Sequence, residues 1–421
     1  MKRICAMAAG MVLIGGLARC GQSPAPPAGT KRLIRPEDLV YRGAFRLPDG
    51  PEEFAWKYSG QGMAYRPAGD ARGGDDGHPG SIFGVGHDWH QHVSEVGIPR
   101  PVVSKAKDLK ALPTARTLQG FGNVRGDLFG EMEQARAGLA YLPARGRQTG
   151  GKLHFCWGPH MHEGRRDPSH GWCEPDLSKP RPAGPWRIAD EVTYVTTDYI
   201  FPIPRAWARA HVGGRELATG RFRDGGQGSL GPSLFAYGPW LDGNPPRRGS
   251  RLKAVTLLRY SAVTDEQPHR LRDYHHSDEW SGGAWLTAGG RSAVVFVGTK
   301  GRGKCWYGFA NGVVWPEGGP YPPVPAAPND QRGWWSTEFV GMVLFYDPGD
   351  LAAVAAGKKK PWEPQPYATM EIDRRLYGVK SKRQVRHVGA ACFDRERGFL
   401  YVFEFRGDGD KSLVHVWQVR G

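Results

Sequence analysis

Gly283-Ala284-Trp285-Leu286 is followed, after a turn, by Ala293-Val294-Val295-Phe296-Val297-Gly298. Small and aromatic residues fill the first run, and β-branched apolar residues fill the second, so the pair reads as a hairpin of two buried strands. The arrangement recurs. Gly62-Met63-Ala64-Tyr65 precedes Ser81-Ile82-Phe83-Gly84-Val85-Gly86, and Gly138-Leu139-Ala140-Tyr141 precedes Lys152-Leu153-His154-Phe155-Cys156-Trp157. Gly389-Ala390-Ala391-Cys392-Phe393 precedes Gly398-Phe399-Leu400-Tyr401-Val402-Phe403, and a looser copy ends in Pro232-Ser233-Leu234-Phe235-Ala236-Tyr237. A strand–turn–strand unit repeated at long, irregular spacing predicts an all-β ring, a β-propeller. The count gives about five blades, with six or seven as alternatives because residues 190–231 parse poorly. A β-sandwich pair is the competing fold, but it gives no reason for the Gly-x-Ala strand to recur.

Within each blade the Gly-x-Ala strand is expected innermost, where small residues relieve crowding near the axis. Third strands are expected at residues 92–98, 170–177, 252–260, 339–347 and 412–419. Weaker fourth strands are expected at 114–121, 186–189, 269–274 and 367–372. The last blade runs out of chain after its third strand. Residues 39–47, Leu-Val-Tyr-Arg-Gly-Ala-Phe-Arg-Leu, belong to no other blade and are expected to close the ring as its outer strand. Helical periodicity is confined to short stretches at 204–211 and 350–356.

Residues 1–19 read as a signal peptide: Met1-Lys2-Arg3 is basic, and residues 4–18 are apolar but short for a membrane span. Leu17-Ala18-Arg19-Cys20 resembles the lipobox of bacterial lipoproteins, although Arg19 stands where that pattern has a small residue. The resemblance implies lipid on Cys20, and residues 20–35, rich in Pro and Ala, read as a tether. One propeller domain is then expected over 36–421, with a long loop insertion at about 299–338. This places the chain in the periplasm or at the outer membrane or cell surface, as a monomer.

The 421 residues carry a formal charge of +15, from 57 Lys and Arg against 42 Asp and Glu. Export argues against nucleic acid as the partner of this charge and favours polysaccharide or another envelope glycan. Of the six cysteines, Cys156 with Cys173 and Cys305 with Cys392 are expected to form disulfides in an oxidising compartment.

Propeller topology puts the turns between second and third strands on the same face as the crossovers between blades, and the reactive residues collect there. His90 and His92, with His160 and His162 in the next blade, have a two-residue spacing that faces one way on an extended strand. With Asp88 or Glu163 they suggest a divalent metal such as zinc, copper or manganese. The layout resembles that of propeller-fold polysaccharide lyases, which hold a metal on histidines. The competing reading is solvated loop histidines.

Glu133 and Glu279 each precede an innermost strand and suit the acid and base of a glycosidase, with Asp88 and Asp278 in reserve. This layout resembles that of five-bladed glycosidases. The competing role is pairing with the many arginines. For a lyase, His387 would take the proton beside a uronate carboxylate that Arg386 neutralises. Trp280, Trp306 and Tyr307 suit stacking on sugar faces, and Lys300, Arg302 and Arg386 suit its anionic groups. A non-catalytic propeller that binds a glycan or an envelope protein is the alternative to cleavage. Residues 298–305 approach a phosphate-binding loop, but Cys305 replaces the hydroxyl that magnesium needs, so they read as a basic hairpin turn.

Overall fold

The computed structural model describes residues 33–51, 55–70, 73, 78–130, 132, 135–159, 164–221 and 227–421. The chain is a five-bladed β-propeller. It opens with β1 (Leu39–Arg46). Blade one comprises β2 (Met63–Arg66), β3 (Ser81–Val85), β4 (Val93–Gly97) and β5 (Thr117–Gly122). Blade two comprises β6 (Arg136–Leu142), β7 (Lys152–Gly158), β8 (His170–Cys173) and β9 (Ala183–Ile188). Blade three follows with β10 (Tyr199–Pro202), β11 (Leu217–Gly220), β12 (Leu234–Tyr237) and β14 (Val255–Leu258). The intervening β13 (Arg251–Leu252) runs parallel to β9 and adds a fifth strand to blade two. Blade four is β15 (Glu279–Ala288), β16 (Arg291–Gly308), β17 (Gly333–Tyr346) and β18 (Ala368–Glu371). Blade five is β19 (Val388–Asp394), β20 (Phe399–Asp408), β21 (Lys411–Val419) and, outermost, β1.

The innermost strands close the ring: β2 touches β6, β6 touches β10, β10 touches β15, β15 touches β19, and β19 returns to β2. This crowding explains the small-residue signature. A Cβ on Gly282 would lie 2.6 Å from the Gly389 carbonyl oxygen, and one on Gly389 would lie 2.0 Å from that of Gly60. Neither gap admits even alanine.

Strand alternation sends successive side chains into successive inter-blade cores. Phe296 packs with Tyr199 and Phe201 between blades three and four. Its neighbours Val295 and Val297 pack with Val402 and Trp417 between blades four and five. The other three cores lie between blades five and one, one and two, and two and three.

Closure by the N-terminal strand is as expected. β1 pairs antiparallel with β21 from Leu39 opposite Val419 to Arg46 opposite Leu413. A buried chain of polar groups crosses this seam. His415 Nε2 donates to Glu404 Oε2 at 2.7 Å, which leaves Nδ1 to accept from the Tyr41 hydroxyl at 3.0 Å. Glu404 also accepts from the backbone N–H of Tyr377 at 2.7 Å.

Blade three departs from expectation. Residues 232–237 hold its third strand, not its second, and residues 190–231 carry the first two. Its innermost strand, Tyr-Ile-Phe-Pro, lacks the Gly-x-Ala signature, and α1 (Arg205–His211) separates it from β11. Residues 252–260 divide between β13 and β14, and 269–274 form no strand. The second helix, α2 (Pro348–Ala355), follows β17.

The two ends of the expected long loop, 299–308 and 333–338, are strand. β16 and β17 stay paired out to Gly308 opposite Gly333, so an arm projects from blade four and only 309–332 form its tip. Residues 298–305 lie within β16 and are not a turn. On the arm Trp315 stacks on Tyr321 at 4.6 Å, Arg332 lies 4.5 Å from the Trp315 ring, and Trp334 stacks on His276 at 4.3 Å.

The expected disulfides are absent: Cys156, Cys173, Cys305 and Cys392 are free thiols. Cys156 and Cys173 occupy adjacent strands but opposite faces of blade two, one in the core toward blade three and the other in the core toward blade one. Cys392 is buried between blades five and one, whereas Cys305 is half-exposed on the arm.

Candidate functional site

The face that carries the crossovers opens into a cavity of about 1050 Å³ at the ring axis. Its walls come from the start of innermost strands and from the turns above them. Gln61 precedes β2, Arg136 begins β6, and Arg386 precedes β19, while Asp88, Trp89 and Gln91 come from the β3–β4 turn. Arg125, Phe129 and Met132 come from the crossover between blades one and two.

Glu279, the first residue of β15, ties the arginines together. Arg136 Nη2 donates to its Oε1 at 2.5 Å, and Arg386 Nε lies 3.4 Å from its Oε2. Among the described residues, Arg125, Arg136 and Arg386 line the cavity with one carboxylate, Asp88, while Glu279 lies behind two of the arginines. Arg125 sits 5.4 Å from the Trp157 ring, and its Nη2 donates to the His90 carbonyl at 3.4 Å. Its Nε is buried with no hydrogen-bond partner among the described residues, and burial holds the guanidinium below its usual range. Gln91 braces the wall, donating to the Ala135 carbonyl at 2.6 Å and accepting from Trp157 Nε1 at 2.7 Å. At the rim Trp89 is 83% exposed, a flat apolar surface left in solvent.

Four of the eight described non-glycine residues with positive φ lie on this face. Tyr58, Gln91, Arg386 and Arg406 are non-glycine residues in the left-handed region, at φ of 56°, 54°, 55° and 51°. Such conformations persist only where surrounding structure enforces them, and they concentrate at functional sites.

Among the expected site residues, Glu279 and Arg386 meet at the mouth. Glu133, His160, His162 and Glu163 lie outside the described residues, as does Cys20. His90 and His92 do not share one extended strand, because Gln91 turns left-handed between them and His92 ends before β4 begins. Among the described residues no group of three His, Cys, Asp or Glu side chains converges to hold a metal.

His387 is buried and fully engaged. Its Nδ1 lies 2.8 Å from Asp373 Oδ1 and its Nε2 2.7 Å from the Gln384 carbonyl, so both nitrogens face protein partners and neither faces a substrate. Its role here is to fix the 384–387 segment. Trp280 is wholly buried in the core between blades three and four and offers no ring to a sugar. Lys300 is a core cation: its Nζ reaches Asp278 Oδ1 at 3.0 Å and the Gly301 carbonyl at 2.8 Å. Burial pushes the Asp278 carboxyl up to about 6, against the pull of Lys300. Arg302 pairs with Glu371 at 2.5 Å on the outer side of blade four. Trp306 is buried in the arm, its Nε1 donating to the Phe309 carbonyl, and Tyr307 is half-buried against Trp334.

Arg125, Arg136, Gln61, Gln91 and Trp89 were not singled out by sequence pattern. Arginine is common in this chain, and nothing local distinguishes Arg125 and Arg136 from the others, whereas Arg386 is an expected site residue. The only hint was topological, in that each lies in a crossover, a second-to-third turn or the first position of an innermost strand.

The fold and site define a five-bladed propeller with three arginines at its axial mouth. No protein-family model matches the chain, and no curated protein matches its sequence.

Proposed function

We propose that this propeller binds an anionic polysaccharide at its axial mouth. The observation that carries the reading is the convergence of Arg125, Arg136 and Arg386 on one large cavity beside the exposed ring of Trp89. Guanidinium groups grip carboxylates and sulfates through paired N–H donors, and indole faces stack on pyranose rings. Binding is favoured over hydrolysis because Glu279, the described candidate acid, is committed to two arginines. A carboxylate held between two guanidinium groups is not free to reach a glycosidic oxygen.

Export with a lipid on Cys20 belongs to the same reading and rests on residues 1–20 alone, since the cysteines of the domain are unpaired. No helix among the described residues is long and apolar enough to cross a membrane. Incorporation of labelled palmitate that is lost in Cys20→Ser supports the anchor, and its absence from the parent protein refutes it.

Calorimetric titration with a panel of neutral and anionic polysaccharides tests the ligand. New reducing ends and the absorbance of unsaturated uronates are followed on the same samples. Binding of the anionic members alone, weakened by Arg136→Ala, supports the reading. Equal binding of neutral glycans, or none of any kind, overturns it, and turnover would make the mouth an active site.

A further inference from the structure

A second cavity, of about 610 Å³, lies beside the axial one where the arm meets the segment before blade five. We infer that the ligand is a linear anionic oligosaccharide chain held in both cavities at once, an inference that rests on the reading just proposed.

The lining of the second cavity is suited to a polyhydroxylated ligand. Asn311 and Asn329 come from the tip of the arm, Trp335 from β17, and Arg383 and Gln384 from the segment before blade five. The Trp335 Nε1 is buried and has no hydrogen-bond partner among the described residues. The Gln384 side-chain carbonyl accepts from the Lys380 N–H at 3.0 Å, which fixes the amide and leaves its NH₂ as a donor. Fixed amides and an indole N–H match sugar hydroxyls, and Arg383, with Arg406 on the same wall, matches a carboxylate or sulfate.

Two connections join the cavities. Val385 lines the second and Arg386 the first, so one stretch of backbone is a shared wall. Arg406 lines the second cavity and lies 5.2 Å from the Tyr58 ring. Tyr58 meets His87 edge-on at 5.3 Å, and Asp88 and Trp89 beside it line the first. Tyr58, Arg386 and Arg406, three of the strained residues, all lie along this boundary. Each cavity alone has the volume of a site for one compact ligand. On this inference the two cavities act as one groove from the axis to the arm, with Arg125, Arg136 and Arg386 in the first and Arg383 and Arg406 in the second.

Titration calorimetry with galacturonate oligomers and heparin oligomers of defined length, from dimer to octamer, tests this. Affinity is expected to rise at least tenfold from dimer to hexamer and then level off. Arg383 is exposed, so Arg383→Ala should leave the fold intact, with an unchanged thermal midpoint as the control. It should weaken hexamer binding about tenfold and leave the dimer unchanged, while Arg386→Ala weakens both. Hexamer, but not dimer, should quench tryptophan fluorescence in a way that Trp335→Phe removes. Length-independent affinity, or full hexamer affinity in Arg383→Ala, overturns the two-cavity chain and leaves the axial mouth standing. Failure of every oligomer to bind overturns both.

Discussion

Arg136 and Glu279 meet at 2.5 Å across the ring although 143 positions separate them in the chain. Each begins an innermost strand, on blades two and four, so the contact spans the axis instead of a blade interface. The carboxylate therefore sets how much of the arginine charge is available to a ligand.

Glu279→Gln keeps an acceptor for Arg136 but removes the negative charge. Binding of a polyuronate should tighten several-fold. Stability should fall by about 1–2 kcal/mol, the scale of one charge-assisted hydrogen bond. Arg136→Ala should weaken binding at least tenfold. Calorimetric titration and urea unfolding read both effects, and weaker binding by Glu279→Gln would count against an anionic ligand.

The ring seam can be opened chemically. Tyr41→Phe removes one hydrogen bond to His415 and should cost about 1 kcal/mol. His415→Ala removes the imidazole donor from the buried Glu404 carboxylate and should cost about 3 kcal/mol, the scale for a buried polar group left short of a partner. Equilibrium urea unfolding separates the two, and equal small losses would mean the seam is held by strand pairing alone.

Acid should loosen blade two first. His154 and His170 are wholly buried, and burial holds each imidazole down at about 3. The unfolded chain takes up these protons near pH 6.5 while the folded chain resists them. Their stabilising effect is therefore complete above pH 6.5 and is lost as pH falls toward 3. Each contributes a slope of up to about 1.4 kcal/mol per pH unit. His154→Gln should flatten the dependence of unfolding free energy on pH between 6.5 and 4, and an unchanged slope would refute the assignment.

The thiols should report folding. Reductant should leave the thermal midpoint unchanged. Alkylation of the native protein should modify Cys305 first, because Cys156, Cys173 and Cys392 are buried and burial pushes their thiols up. Mass spectrometry after denaturation should find all four alkylated. A bridged peptide joining Cys156 and Cys173 would contradict the opposite-face packing.

The propeller was legible because its signature has a steric cause. Gly282 and Gly389 stand where inner strands touch backbone to backbone, and that contact recurs around the ring. Blade three hid because Tyr199 and Phe201 fill the corresponding space with rings instead. The site was legible as a face but not as a set of residues. Spacing assigned His90 and His92 to one side of a strand, and a left-handed Gln91 undid it. Trp280, near the start of β15, and Lys300, in the middle of β16, looked like ligand contacts, but a strand side chain turns inward as readily as outward, and only packing decides. The arm concealed its own strands because Gly301 and Gly303 read as turn residues.

The direction of β1 has a consequence for presentation. Leu39 pairs with Val419 at the far end of β21, and Leu33 bridges to Ser292 at the start of β16, beside its turn from β15. Both contacts lie on the face opposite the axial mouth. A protein immobilised through the residues before Leu33, on a sensor chip for example, is therefore gripped from behind, with its mouth turned away from the support.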